Sequence, residues 1–374
     1  MKLQLVDKTI IHIIGARPNF IKAAPLINEI DKLENIENLI LHTGQHYDDN
    51  MSKVFFDELN IPKPHYNLNA GGGSHAIQTS NIMVGCEKYF IEKNPDLIIV
   101  YGDVNSCVAA SLVAVKMGIK IAHIESGLRS FDRTMPEEIN RIITDSISDI
   151  LFLTSIDALD NLKTEGISED KCHLVGNTMI DSLVNLNHKF DESDILKELG
   201  LEKKSYSLIT LHRPSNVDNK SDLESMFESI MDVSNVMKCV FPIHPRTKNN
   251  LIKFDLYEKY NSIGNLLITD PKGYIDFMCL QKNAKVIITD SGGVQEESSF
   301  FGTPCLTVRD NTERPITLNS GTNVLIGSNY KKIYKHMVEL NYNQNKSDIE
   351  MWDGKSSKRI VNYLIKYLSG ENNE

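Results

Sequence analysis

Residues 285–301 read KVIITDSGGVQEESSFF, and their pattern decides the kind of fold to expect. Val286 to Thr289 is a short, β-branched apolar run, the mark of a buried strand. Ser291-Gly292-Gly293 turns the chain, and a helix opens directly after it. Glycine lets a ligand approach the backbone closely, and the free N–H groups of a first helical turn suit phosphate oxygens. Glu297, one turn in, is placed to accept hydrogen bonds from ribose hydroxyls. The plainer alternative is an ordinary N-capped helix.

Working outward, the same strand–helix alternation recurs. Strands are expected at Ser207 to Leu211, Cys239 to Ile243, Leu266 to Thr269 and Pro304 to Val308, with a helix at Asp222 to Val236. An earlier series has strands at Thr9 to Ile14, Leu39 to His42, Leu97 to Tyr101, Lys120 to Ile124 and Ile150 to Leu153. Helices are expected at Asn19 to Leu33 and from about Val108 to Met117. Alternation of this kind implies parallel sheets. Two series separated by the polar stretch 185–205 imply an α/β chain of two Rossmann-like domains facing a cleft. The expected division is 1–175 and 176–350, with 351–374 a C-terminal helix returning to the first domain.

Composition narrows the function. The chain has 374 residues, 40 Lys plus Arg and 50 Asp plus Glu, a net charge of −10. That balance argues against nucleic-acid or membrane-surface binding, which needs basic surface. No apolar run approaches the roughly 20 residues of a spanning helix. The six cysteines form no C-x-x-C pair, and the first residues lack signal-peptide character, so a cytoplasmic protein with reduced thiols is expected.

In open parallel sheets ligands bind beyond the carboxyl ends of strands, and the polar clusters fall there. Gly15-Ala16-Arg17-Pro18 with Lys22 offers two cations beside a helix start, suited to a diphosphate or simply to solvent. Asp103 follows the Leu97 strand, where it can serve as acid or base; Asn105 or Ser106 can merely cap. Glu125 ends the Lys120 strand, Arg129 follows it, and Glu137 and Glu138 open a helix, where the dipole alone favours carboxylates. His212 follows one strand of the second series and His244 the next. No G-x-G-x-x-G follows the first strand, so a dinucleotide cofactor is not expected. P-loop and H-E-x-x-H motifs are absent too, and no metal site is expected.

Together these segments resemble the non-hydrolysing UDP-N-acetylglucosamine 2-epimerases. The resemblance runs from Gly15 to about Gly327 through GARPNFIKAAPL, TGQHYD, VYGDVNS, AHIESGLRSFDRTMPEEINR, LVGNTMID, LITLHRP, PIHPRTK, TDSGGVQEE and RDNTERP. It implies a GT-B-like fold, a homodimer, a UDP-sugar substrate held mainly by the second domain, and a role in polysaccharide precursor synthesis without a cofactor. It implies inversion at C2 through loss of the C2 proton, anti elimination of UDP to a 2-acetamidoglucal, and re-addition. Asp103, Glu125 and Glu137 match the family's acidic catalytic positions, and His212 its histidine at the diphosphate. Arg17 and Lys22 match basic positions near the phosphates, and Ser291, Gly292 and Gly293 the phosphate turn. Glu297 matches the ribose contact, and Phe277 and Arg314 further nucleotide contacts; Arg129 and His244 are counted with the binding residues. Lys272 stands where a Gln often contacts the nucleotide, which leaves a main-chain contact.

Some segments depart from the best-known branch. Ala16 and Asn19 replace Thr and Glu, and the loop 126–136 is two residues shorter. Tyr47-Asp48 follows Gln45-His46, and no Arg stands near 71–75, so weak or absent activation by a second substrate molecule is expected. A related branch acting on UDP-2,3-diacetamido-2,3-dideoxy-glucuronate shares the GARP opening. A hydrolysing 2-epimerase, a GT-B glycosyltransferase and an inactive nucleotide-sugar binder are the competing readings. The glycosyltransferase would leave the three carboxylates without a purpose.

Overall fold

The computed structural model describes residues 8–44, 58–340 and 348–370. Residues 45–48 of the TGQHYD segment and the side chain of Arg17 lie outside the described residues. The chain divides into two compact units: Met1–Asn185 with Glu350–Glu374, and Leu186–Ile349.

The first unit is built on a seven-stranded parallel sheet. Its strands are β1 (Lys8–Ile14), β2 (Ile36–His42), β3 (Tyr66–Asn67), β4 (Leu97–Tyr101), β5 (Lys120–Ser126), β6 (Ile150–Leu153) and β7 (Cys172–Leu174). They lie in the order β3-β2-β1-β4-β5-β6-β7. The second unit has β8 (Tyr206–Thr210), β9 (Lys238–Pro242), β10 (Leu266–Thr269), β11 (Val286–Thr289), β12 (Cys305–Thr307) and β13 (Asn323–Leu325). Their order, β10-β9-β8-β11-β12-β13, repeats that of the first six strands of the other sheet. The architecture is therefore α/β with two Rossmann-like units. The strand order reverses between β1 and β4 and again between β8 and β11, where such sheets form their binding crevices.

Helices cover the strands on both faces, so the central strands read as apolar runs rather than alternations. Ile10, Ile11, Ile13 and Ile14 of β1 and all of β4 are fully buried. The strands that the sequence did not reveal, β3, β7 and β13, have two or three residues, lie at sheet edges and are incompletely buried. Without two covered faces, nothing imposes an apolar run on them.

Asn19 joins the first loop to the sheet. Its Oδ1 accepts the N–H groups of Gly15 (3.1 Å) and Ala16 (3.0 Å), and its Nδ2 donates to the Tyr101 carbonyl (2.7 Å). The chain returns to this unit at its C-terminal end. Trp352 Nε1 donates to the Thr154 carbonyl (3.0 Å), and helix Ser356–Leu368 packs on helix Arg17–Ile30. Asp181 caps that last helix by accepting the N–H groups of Ser356 (3.0 Å) and Ser357 (2.7 Å). Among the described residues no helix is long and apolar enough to cross a membrane.

His12, in the middle of β1, is fully buried between Tyr101 Oη (2.5 Å from Nδ1) and Asn38 Oδ1 (2.7 Å from Nε2). Burial pushes its imidazole down to about 3 from an ordinary 6.5, against the upward pull of the Asn38 hydrogen bond. Below pH 6.5 the unfolded chain takes up a proton that the folded chain refuses until about pH 3. Stability at this site is thus full above pH 6.5 and falls with pH by about 1.4 kcal/mol per unit. Urea denaturation at pH 6.5 and pH 5 should show that loss. In His12→Gln the slope should flatten, and an unchanged slope would assign the loss to other groups.

Candidate active site

The carboxyl ends of β4 and β5 carry the acidic candidates of the first unit. Tyr101 pairs with Ile124 across these neighbouring strands. Asp103 and Glu125 therefore leave the sheet side by side. The register of β5 against β6 shifts between Ile124 and Ser126, and Glu125, at the bulge, has φ +71°. A left-handed conformation costs a non-glycine residue about 1–3 kcal/mol and persists where surrounding structure enforces it. Glu125 is buried, and its carboxylate forms an ion pair with buried Lys22. The structure thus pairs Lys22 with a catalytic candidate.

Asp103 is about a quarter exposed and pairs with Arg141. Arg141 is buried and also holds Glu138 (2.6 Å). Glu138 in turn accepts the N–H of Ser130 (2.9 Å), the Ser130 hydroxyl (3.0 Å) and the N–H of Phe131 (2.9 Å). Burial alone would raise the Glu138 carboxyl, but the Ser130 N–H and Arg141 outweigh it and hold it below the ordinary range. Helix Pro136–Ile147 therefore divides its two leading carboxylates. Glu138 is a buried brace, and Glu137 is exposed. Asp103 and Glu137 line a pocket of about 320 Å³ with Asn105, Asn140, His75 and Gln78. Asn140 Nδ2 donates to the Asp103 carbonyl (2.9 Å), which fixes the turn that presents Asp103.

Arg141 and Asn140 were not among the sequence candidates. The signal was present, since Glu138 and Arg141 stand three apart and face each other on a helix. The ion pair to Asp103, 38 residues away in sequence, had no such signal. Arg129, expected among the binding residues, is engaged within the first unit. It is buried, with Nη1 on Asp145 (2.7 Å) and its Nε and Nη2 on the Glu165 carboxylate (2.7 and 2.6 Å). Those bonds make it a strut beneath the end of β5.

The second unit places His212 after β8 and Asp290 after β11, the neighbouring strands at the reversal point. Asp290 is fully buried. It accepts the N–H groups of His212 (3.0 Å) and Arg213 (2.8 Å) and Asn216 Nδ2 (2.9 Å), and it faces His212 Nδ1 (3.2 Å). Burial opposes its ionisation, but the bonds from His212 and its neighbours hold the carboxyl below the ordinary range. With Nδ1 turned to a carboxylate, the His212 ring is oriented, and Nε2 is the atom left for other chemistry. His244 is exposed and caps helix Pro245–Lys253, with Nδ1 accepting the Arg246 N–H (3.1 Å). Its ring centroid lies 5.3 Å from that of His212.

Helix Gly292–Phe301 begins beside Asp290, and no side chain caps it. The Ser291 N–H turns back to Thr289 Oγ1 (3.0 Å). A Cβ at Gly292 would lie 2.5 Å from Arg314 Nη1 and 2.8 Å from Glu313 Oε1, so a side chain there would have to displace the buried Arg314–Glu313 pair. Gly293 completes the turn. Arg314, buried, pairs with Glu296 (2.7 Å) and Glu313 (2.6 Å). Glu313 also holds Arg309 (2.8 Å); burial would raise its carboxyl, but Arg314 and Arg309 drive it far below the ordinary range. Glu297 is buried and accepts Gln281 Nε2 (2.6 Å). Phe277 packs at the margin of the core formed by Leu208, Leu280 and Val294. Lys272 is half-buried in the loop before helix Tyr274–Asn283. Among the described residues no group of three side chains is arranged to hold a metal ion.

The UDP-N-acetylglucosamine 2-epimerase family model matches residues 28–365. A UDP-N-acetylglucosamine 2-epimerase of Methanocaldococcus jannaschii is 46 % identical over 358 residues, covering 94 % of this chain and 97 % of the relative. A UDP-2,3-diacetamido-2,3-dideoxy-D-glucuronate 2-epimerase of Pseudomonas aeruginosa is 40 % identical over 362 residues, covering 96 % and 99 %. The crystal structure of the M. jannaschii UDP-GlcNAc 2-epimerase in complex with UDP-GlcNAc and UDP matches with a TM-score of 0.88 at 45 % identity, covering 95 % of this chain and 99 % of that one. With nearly the whole chain matched at these identities, the protein belongs to the UDP-N-acetylglucosamine 2-epimerase family and is an epimerase, an isomerase by class.

Proposed function

We propose that this epimerase interconverts UDP-N-acetylglucosamine and UDP-N-acetylmannosamine by eliminating and re-adding UDP. A carboxylate removes the C2 proton, the C1–O bond breaks with its electrons passing to the β-phosphate, and a C1=C2 double bond forms. Protonation of C2 on the opposite face and return of the phosphate oxygen to C1 give the epimer. No net oxidation occurs. The pairing of Asp103 and Glu125 at the ends of adjoining strands carries the proposal, with Glu125 held by Lys22 in a strained bulge. Two carboxylates so placed supply a base and an acid for a weakly acidic carbon. Glu137 completes the set. On the second unit, Asp290 orients His212 toward the leaving diphosphate, and the uncapped helix start at Gly292 and Gly293, next to Ser291, offers N–H donors to it. Arg17, Lys272, Phe277, Arg314 and Glu297 are the proposed surroundings of the nucleotide.

Epimerisation in D₂O tests the chemistry. One deuterium should enter C2 of the product and of recovered substrate, read by loss of the C2 proton signal. Turnover with the C2 proton retained would rule out elimination. The Pseudomonas relative favours a second reading, in which the same inversion acts on UDP-2,3-diacetamido-2,3-dideoxy-glucuronate; assaying both sugars side by side separates them.

The same proposal includes a homodimer. Helix His75–Lys93 exposes Ile77, Val84 and Ile91. At spacings of seven they share one face. Two antiparallel copies crossing at Val84 would match Ile77 to Ile91 and Val84 to itself, as an isologous contact requires. A monomeric mass by light scattering would refute it.

A further inference from the structure

Taking Asp103 and Glu125 as the carriers of the C2 proton, we infer that Asp145 and His123 are positioning residues that set both carboxylates from beneath. Both side chains are fully buried. Asp145 Oδ1 meets His123 Nδ1 (2.7 Å), and His123 Nε2 meets the Gly102 carbonyl (2.8 Å). That carbonyl belongs to the peptide that leads into Asp103. The other carboxylate oxygen of Asp145 accepts the Gly127 N–H (3.1 Å), two residues past Glu125, and holds Arg129 (2.7 Å). One carboxylate thus fastens the turn after β4 through His123 and the bulge at the end of β5 directly.

Its two ring hydrogen bonds make His123 a brace rather than a filler. A carbonyl can only accept, so His123 Nε2 carries a proton. Nδ1 faces the Asp145 carboxylate, which fixes the ring from its other side. Asp145 thus holds His123 and Arg129 at once, and Arg129 reaches on to the Glu165 carboxylate at the exposed edge of the cluster. Burial would raise the Asp145 carboxyl, but His123 and Arg129 hold it below the ordinary range. Gly127 is part of the device. Its φ is +78°, and a Cβ there would strike the Ala158 carbonyl at 2.7 Å, so the bulge cannot relax around a side chain. Displacing a reacting group by an ångström can cost about 10²-fold in rate without touching the ligand.

Asp145→Asn keeps the shape of the side chain and removes its charge. It should lower kcat by about 10–100-fold, with KM and UDP affinity within about threefold. The double variant Asp145→Asn/His123→Gln should recover part of the loss. The new amide can donate to Gln Oε1, whose Nε2 can again donate to the Gly102 carbonyl. Glu165→Gln, which loosens the cluster on its far side, should lower Tm yet leave kcat within about twofold. A folded Asp145→Asn with unchanged kcat overturns the inference. So does a Glu165→Gln that loses kcat in step with its Tm, since the effect would then be general loosening. Should Asp145→Asn not fold, His123→Gln is read in the same assay against the same limits. Wild-type protein without C2 exchange would instead sink the assignment of the C2 proton, so the two failures are distinct.

Discussion

Asp103→Asn and Glu125→Gln are each expected to lower kcat by about 10²–10⁴-fold, with UDP affinity changed by no more than about threefold. Both replacements keep the side-chain shape and remove the ability to hold a proton from carbon. Asp103→Asn also trades its ion pair with Arg141 for a neutral contact, but Arg141 keeps Glu138. Glu125→Gln leaves Lys22 facing an amide, so some loss of stability will accompany the loss of rate. Nucleotide affinity should survive because, Arg17 apart, the proposed diphosphate and ribose contacts lie on the other unit. Product formation by ¹H NMR and UDP titration by calorimetry give the two numbers. Either variant turning over within tenfold of wild type would remove that residue from the proton-transfer set. Loss of UDP affinity in step with rate would place it in binding instead.

Asp290→Ala should have the largest effect on the second unit. It strips the acceptor from two main-chain N–H groups, an Asn amide and the His212 ring, all at a fully buried site. Removing one partner of a buried charged network costs about 3–5 kcal/mol. For a unit of this size that corresponds to a fall in Tm of about 10 °C or more. The activity of whatever remains folded should fall as well, because His212 loses its orientation. Calorimetry should resolve the shift. A Tm within 2–3 °C of wild type would mean that water or a neighbour replaces the carboxylate, and that the network is not what shapes the turn after β8. Asp290 was passed over in the sequence, although it stands in the quoted TDSGG run.

The central strands were legible because two covered faces leave only apolar residues. Leu97–Tyr101, Ile150–Leu153, Leu266–Thr269 and Val286–Thr289 fall where the sequence puts them. Positions of the candidates were also legible, since strand ends follow once the strands are known. Their partners were not. The pairings Lys22 with Glu125 and Arg141 with Asp103 join residues about 40 to 100 positions apart, and only the sheet order brings them together. The same holds for Arg129. Its charge was visible and its pairing with Asp145 and Glu165 was not.

The helix that Asp181 caps has a consequence for biosynthesis. Residues up to Asn185 leave the ribosome first, yet their unit is finished only by residues from Glu350 onward. At ordinary translation rates roughly 10–40 s separate the two. During that interval the second unit emerges whole, while helix Arg17–Ile30 still lacks its cover and Asp181 its two N–H donors. A chain stalled or cut shortly before Glu350 would therefore carry one finished unit and one open one. The open one is the natural target for chaperones and proteases.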